Sequence, residues 1–208
     1  MRSQKVQPAS PARAVRQSVR SEGKNSSARE SLRRSYRPDR VRMLFVGEAP
    51  PASGRFFYQQ DSGLYRAVRD TFLIAFPLLP KKEFLDYFRS LGCYLVDLCG
   101  GPVDKMPDGP RRSACCAGEV HLARMIRELR PKVIVTFVRS IRSNVTRAQS
   151  QARWRGLHLE LPYPGRWHRH RIEFRRRLVP LLRKTLGDPH LCPRSRRAID
   201  GHSFPPKL

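Results

Sequence analysis

The chain has 208 residues, enough for one domain with a real core and too few for two comfortable ones. Its 42 Lys and Arg against 17 Asp and Glu give a formal charge of +25 and a pI near 11.3, which favours a polyanionic partner such as nucleic acid. No apolar run is long enough to span a bilayer and no amphipathic anchor stands out, so a membrane partner is not expected.

Residues 1–40 carry eleven basic side chains against three acids (Glu22, Glu30, Asp39), with abundant serine and few large apolar residues. Such a segment buries too little surface to offset its ordering entropy, and a disordered basic tail is expected. It suits an electrostatic tether to nucleic acid. An organelle transit peptide, or translation beginning near Met43, are the alternative readings.

A strand is expected at 41–47 ("VRMLFVG"), then a helix at 62–76, where Leu64, Val68, Phe72 and Ala75 recur at helical spacing behind a Ser62 cap. A helix at 81–91 follows, then a strand "CYLVDLC" at 93–99, broken by Asp97 and closed by Gly100, Gly101 and Pro102. Ser113 reads as the cap of a helix to Leu129, ended by Pro131. "KVIVTFV", 132–138, is β-branched and continuous, as a doubly covered parallel strand is. A helix at 140–153, a strand "LHLELP" and a helix at 169–186 kinked at Pro180 complete the domain. Residues 187–208, basic and proline-containing, read as a loose second tail. Strand and helix alternate, so the class is α/β with a short, mainly parallel sheet.

Ligands of such sheets bind beyond the carboxyl ends of the strands. Those ends deliver Glu48 with "PPASGRFFY", Asp97 with "GGPVDKMPDGPRR", and "LPYPGRWHRHR". Taken singly, Glu48 reads as a turn cap and Asp97 as a satisfied buried acid. Their joint placement on one rim, with an acid inside an apolar stretch, points instead to a site. The five cysteines are an odd set in a chain with no secretory segment, as in a reduced intracellular protein.

"VGEAPPASGRFF", "VDLCGGPVDKMPDGPRRSAC" leading into "IRELRPKVIVTF", and "LPYPGRW" resemble, in order, the motifs of the uracil-DNA glycosylase superfamily, most like its branch that opens with Gly-Glu-Ala-Pro-Gly. The resemblance covers residues 41–186 and neither tail. It implies a three-layer α/β/α sandwich around a four-stranded sheet, and hydrolysis of the bond between a damaged base and deoxyribose during base excision repair. It further implies Glu48 as the acid that orients water and faces developing positive charge, Phe57 as the aromatic under the flipped base, and Asp97 as the edge-reading residue. Pro162, Tyr163, Gly165, Arg166 and His168 match the loop that closes on DNA near the lesion.

Two departures bear on substrate. Asp97 stands where the family reads uracil with asparagine, and an ionised aspartate only accepts hydrogen bonds. Leu161 stands where a histidine usually opens the last motif and stabilises the departing base; Tyr163, His168 and His170 are the nearby candidate donors. Branch relatives often carry a four-cysteine iron-sulfur cluster. Only Cys99 and one of Cys115 or Cys116 match its ligand positions, and residues 1–92 hold no cysteine, so no cluster, metal or other cofactor is expected.

Residues 139–186 contain thirteen basic side chains and two acids, a one-sided excess suited to phosphate tracking. The expectation is a monomeric, cytoplasmic, nucleoid-associated glycosylase acting on uracil or a related deaminated base in single- or double-stranded DNA. The alternatives are a catalytically inactive nucleic-acid-binding protein on the same fold, and an RNA-associated protein held through its basic tails.

Overall fold

The computed structural model describes residues 26–165 and 167–187. The chain divides into two compact units, residues 1–35 and 36–208. Within the first, residues 26–35 are helical (α1), which corrects the expectation of a structureless tail through residue 40. Glu30 contributes to it: its carboxylate pairs with Arg33 and with Arg34 at 2.8 Å, one helical turn on, the spacing that favours a helix. A composition count does not register such pairs. Residues 36–40 belong to the second unit, where Pro38 is buried and Tyr36 stacks on Tyr58 at 5.5 Å between ring centroids. The rest of both expected tails lies outside the described residues.

The second unit is an α/β/α sandwich on a four-stranded, all-parallel sheet of order β2-β1-β3-β4. The strands are β1 (Met43–Gly47), β2 (Cys93–Asp97), β3 (Val133–Phe137) and β4 (Leu157–Leu161). β1 and β3 are buried at every position, as their continuous apolar sequences require. Helices α2 (Gly63–Ala75), α3 (Phe84–Ser90) and α6 (His168–Leu186) bring Phe72, Phe88 and Phe174 onto a ring layer with Phe45 and Phe137. α4 (Asp108–Leu129) and α5 (Arg142–Gln151) pack on each other and bury Leu122, Ile126, Val145 and Ala148.

Ser62 caps α2 as expected, its hydroxyl accepting from the Tyr65 N–H at 3.0 Å. α4 starts earlier than expected: it begins at Asp108, and Ser113 lies inside it. Asp108 and Pro110 in the first turn supply what a start needs, an acid at the positive end of the dipole and a residue with no N–H to satisfy. α6 runs through Pro180 as one continuous helix. The α4–α5 pair is closed by buried Glu119, which accepts from Asn144 Nδ2 at 2.7 Å and Arg147 Nη2 at 2.6 Å. The Arg147 hydrogen bond, more than Asn144, lowers the Glu119 pKa below the ordinary carboxylate value.

Candidate active site

β1 and β2 continue to pair after their last strand residues, and this fixes the two acids. The Leu98 N–H donates to the Gly47 carbonyl at 2.9 Å and the Cys99 N–H to the Glu48 carbonyl at 2.8 Å. Gly47 pairs with Asp97 in register, and a Cβ on Gly47 would lie 2.6 Å from Asp97 Oδ1. Glycine there lets the Asp97 carboxylate sit against the end of the central strand. Gly118 has the corresponding role in α4, since a Cβ would collide with the Leu98 carbonyl oxygen. That close approach brings the first turns of α4 beside Glu48.

From those turns Arg111 reaches Glu48. Its Nε donates to Oε1 at 2.7 Å and its Nη2 to Oε2 at 2.5 Å, a side-on bidentate pair. The Glu48 side chain keeps only 12% of its exposure and Arg111 keeps 33%. This contact holds the Arg111 guanidinium still further above neutrality than usual. Cys115 Sγ lies 3.9 Å from Glu48 Oε1 and 3.7 Å from Cys99 Sγ. Burial, then the Cys115 contact, pushes Cys99 up to about 12, and burial raises Cys115 too. Cys116 is exposed, with its sulfur 3.7 Å from Asn144 Nδ2. Of the adjacent Cys115 and Cys116, Cys115 is therefore the one beside Cys99. Among the described residues no group of three or more His, Cys, Asp or Glu could hold a metal ion.

Glu48, Asp97, Phe57 and Tyr163 line one cavity of about 410 Å³ at the carboxyl ends of the strands. Phe57 opens a short 3-10 turn, Phe57–Gln59, and its ring is only 3% exposed. It is wedged among Tyr58, Tyr65 and Phe88 at centroid distances of 5.1, 5.7 and 5.4 Å. Tyr58, next in sequence, satisfies the outer edge of β2: its hydroxyl donates to the Leu95 carbonyl at 3.0 Å and accepts from the Leu95 N–H at 2.8 Å. Phe57 is thus part of the packed cavity wall, with almost no surface open to a stacking base. Tyr163 is 40% exposed, and partial desolvation raises its phenol pKa, so it stands protonated as a hydrogen-bond donor at neutral pH, as an ordinary phenol does.

The other expected loop residues separate. Pro162 is buried just after β4, Gly165 lines a neighbouring cavity, and His168 is an exposed residue in the first turn of α6 that lines neither. Arg166 lies outside the described residues.

The sequence reading missed Arg111, Asp104 and the end of β3. Asp104 accepts from the Ala52 N–H at 3.0 Å and ties the loops after β1 and β2 together over the cavity. Val138 also lines the cavity, and its φ of 83° is rare for a β-branched residue. Strain of this kind gathers at functional sites. Asp108 and Pro110 mark the helix start that places Arg111 on a structured turn, but nothing local in the sequence pairs it with Glu48, 63 positions away.

No helix among the described residues is long and apolar enough to cross a membrane. No family model matches the chain, and no curated protein matches it.

Proposed function

We propose that this cavity hydrolyses the N-glycosidic bond of uracil or a related deaminated base in DNA. The observation that carries the proposal is the convergence of Glu48, Asp97, Phe57 and Tyr163 on a single cavity at the strand ends. Its volume is that of a small-ligand site, and its lining combines apolar residues with charged and polar ones.

The base must leave the stack to enter, and Phe57, almost wholly buried among its aromatic neighbours, backs the cavity wall that the base would meet. As the bond between sugar C1′ and the base nitrogen breaks, positive charge grows on the sugar and negative charge on the base. Glu48, held in one orientation by Arg111, faces the cation and directs a water to C1′. The water oxygen bonds to C1′ and its released proton balances the charge on the departing base. With leucine at 161, the donor nearest in sequence is the Tyr163 phenol. Asp97 reads an edge richer in donors than uracil when ionised, or reads uracil when protonated.

A second reading is favoured by one specific observation. The Glu48 carboxylate is already neutralised by Arg111, so the same cavity could bind an extruded base without cleaving it. A strand-cleavage assay separates the two, using oligonucleotides bearing uracil, hypoxanthine, xanthine or a thymine mismatch, alkali to cut abasic sites, and Glu48→Gln as control. Cleavage at one lesion that disappears in the variant supports hydrolysis. Binding with no cleavage of any substrate supports the second reading.

A further inference from the structure

A second cavity of about 260 Å³ lies in the seam between α2 and α6, and its lining includes Arg66, Arg171 and Arg175. Arg171 and Arg175 are one helical turn apart on α6, so both project from the same side of that helix. Neither side chain makes a hydrogen bond or ion pair among the described residues. The nearby acids are engaged elsewhere. Asp70, the one acid on the lining, accepts from Arg69 at 3.1 and 2.9 Å. Glu173, between the two arginines in sequence, pairs with Arg139 at 2.8 Å and Arg177 at 3.4 Å. Arg66 donates to the Asp61 carbonyl at 3.1 Å, a contact that leaves its charge uncompensated.

Three arginines on a lining whose one acid, Asp70, is paired with Arg69 leave the cleft with an excess of positive charge, and such a cleft suits an anion. Its position says which anion. Ser62 and Tyr163 line the first cavity, while their chain neighbours Gly63 and Pro164 line the second, so the two share a wall one residue thick. The Tyr163 hydroxyl approaches within 4.0 Å of where a Gly63 Cβ would lie, closing that wall. A nucleotide with its base in the first cavity would lay its sugar-phosphate across this wall.

We propose that the α2–α6 cleft binds backbone phosphodiesters flanking the base held in the first cavity, with Arg171 and Arg175 as the principal contacts and Arg66 at the rim. The assignment rests on the nucleic-acid reading of the first cavity but not on hydrolysis there. It sets the strand's path: out of the base cavity past Tyr163 and over the start of α6.

The test is equilibrium binding of a fluorescein-labelled single-stranded oligonucleotide with one central uracil, followed across a salt series. Arg171→Ala/Arg175→Ala is compared with Arg124→Ala/Arg127→Ala, which removes equal charge from exposed positions on α4. The first variant should lower the slope of log affinity against log salt by roughly 1.4, two lost single-strand phosphate contacts, and the second should leave it unchanged. A second oligonucleotide carries neutral methylphosphonates beside the uracil. It should bind wild type more weakly than the charged parent, and the α6 variant should not distinguish the two.

Equal slopes for both variants, or continued discrimination by the α6 variant, overturn the assignment. So does loss in that variant of thermal stabilisation by inorganic phosphate while oligonucleotide binding is unaltered, which would mark a small-anion site. Absence of base excision with the α6 effect intact would defeat hydrolysis alone. Excision with equal slopes would defeat the cleft alone.

Discussion

Replacing Arg111 with methionine keeps the side-chain stem and removes both hydrogen bonds that orient Glu48. Exposed ion pairs are worth about 0.2–1 kcal/mol and breaking a fully buried one costs about 3–5. With the carboxylate at 12% exposure and the guanidinium at 33%, this pair falls between those limits. A coupling of about 2 kcal/mol follows, which is roughly thirtyfold in rate if it is all used to hold Glu48 in its reactive orientation. Single-turnover excision of a uracil-containing strand would be measured for Arg111→Met, Glu48→Gln and the double variant, with thermal midpoints as folding controls. Arg111→Met should slow the chemical step about thirtyfold and leave substrate affinity nearly unchanged, and the double variant should be no slower than Glu48→Gln. An Arg111→Met protein as fast as wild type or faster would refute the positioning role and show that the pair restrains the carboxylate. Additive losses would show that the two side chains act separately.

Gly47→Ala places a methyl 2.6 Å from Asp97 Oδ1, where ordinary contact begins at 3.4 Å, so the carboxylate must retreat. Excision should fall by up to about a hundredfold while stability drops by only about 1 kcal/mol, read from paired single-turnover and thermal-melt measurements; an unchanged rate would remove Asp97 from the site. Glu119 has a folded pKa lowered by Arg147, so its stabilisation is complete above the unfolded carboxylate value and is lost as pH falls through the lower folded one. Acid titration of stability should therefore be shallower in Glu119→Gln than in wild type, although the variant is less stable near neutrality. Among the described cysteines, iodoacetamide at mildly alkaline pH should label exposed Cys116 first and fully buried Cys93 last, with Cys99, its thiol pushed up to about 12 by burial, also slow; peptide mass mapping reads the order, and early labelling of Cys93 or Cys99 would contradict their packing.

Most of the fold was legible because its signals are local and repeated. "MLFVG" and "VIVTF" are buried at every residue, and a run apolar on both faces has few places to go except the middle of a parallel sheet. The Ser62 cap and the helical spacing after it were equally plain. The errors came where a local reading was applied to a cooperative feature. α1 contains Glu30 paired with two arginines a turn away, and the start of α4 has Asp108 and Pro110 together, against a serine that looked sufficient alone.

The site divides along the same line. Parallel pairing obliges β1 and β2 to end side by side, so an acid just after β1 and an acid at the end of β2 fall on one rim, and Glu48 and Asp97 could be named from sequence. Arg111 could not be: it stands 63 positions from Glu48, and its reach depends on how closely Gly118 lets α4 approach Leu98. Strand ends set where a cavity opens, whereas the helices packed beside them set which charges enter it. The cavity is therefore the more secure inference, and its chemistry depends on the one contact that sequence did not reveal. A Glu48 carboxylate with no partner would have argued for hydrolysis outright. Held by Arg111, it is oriented and partly neutralised by the same two hydrogen bonds, so only the sign of the rate change on removing that guanidinium distinguishes a positioned catalyst from a silenced one.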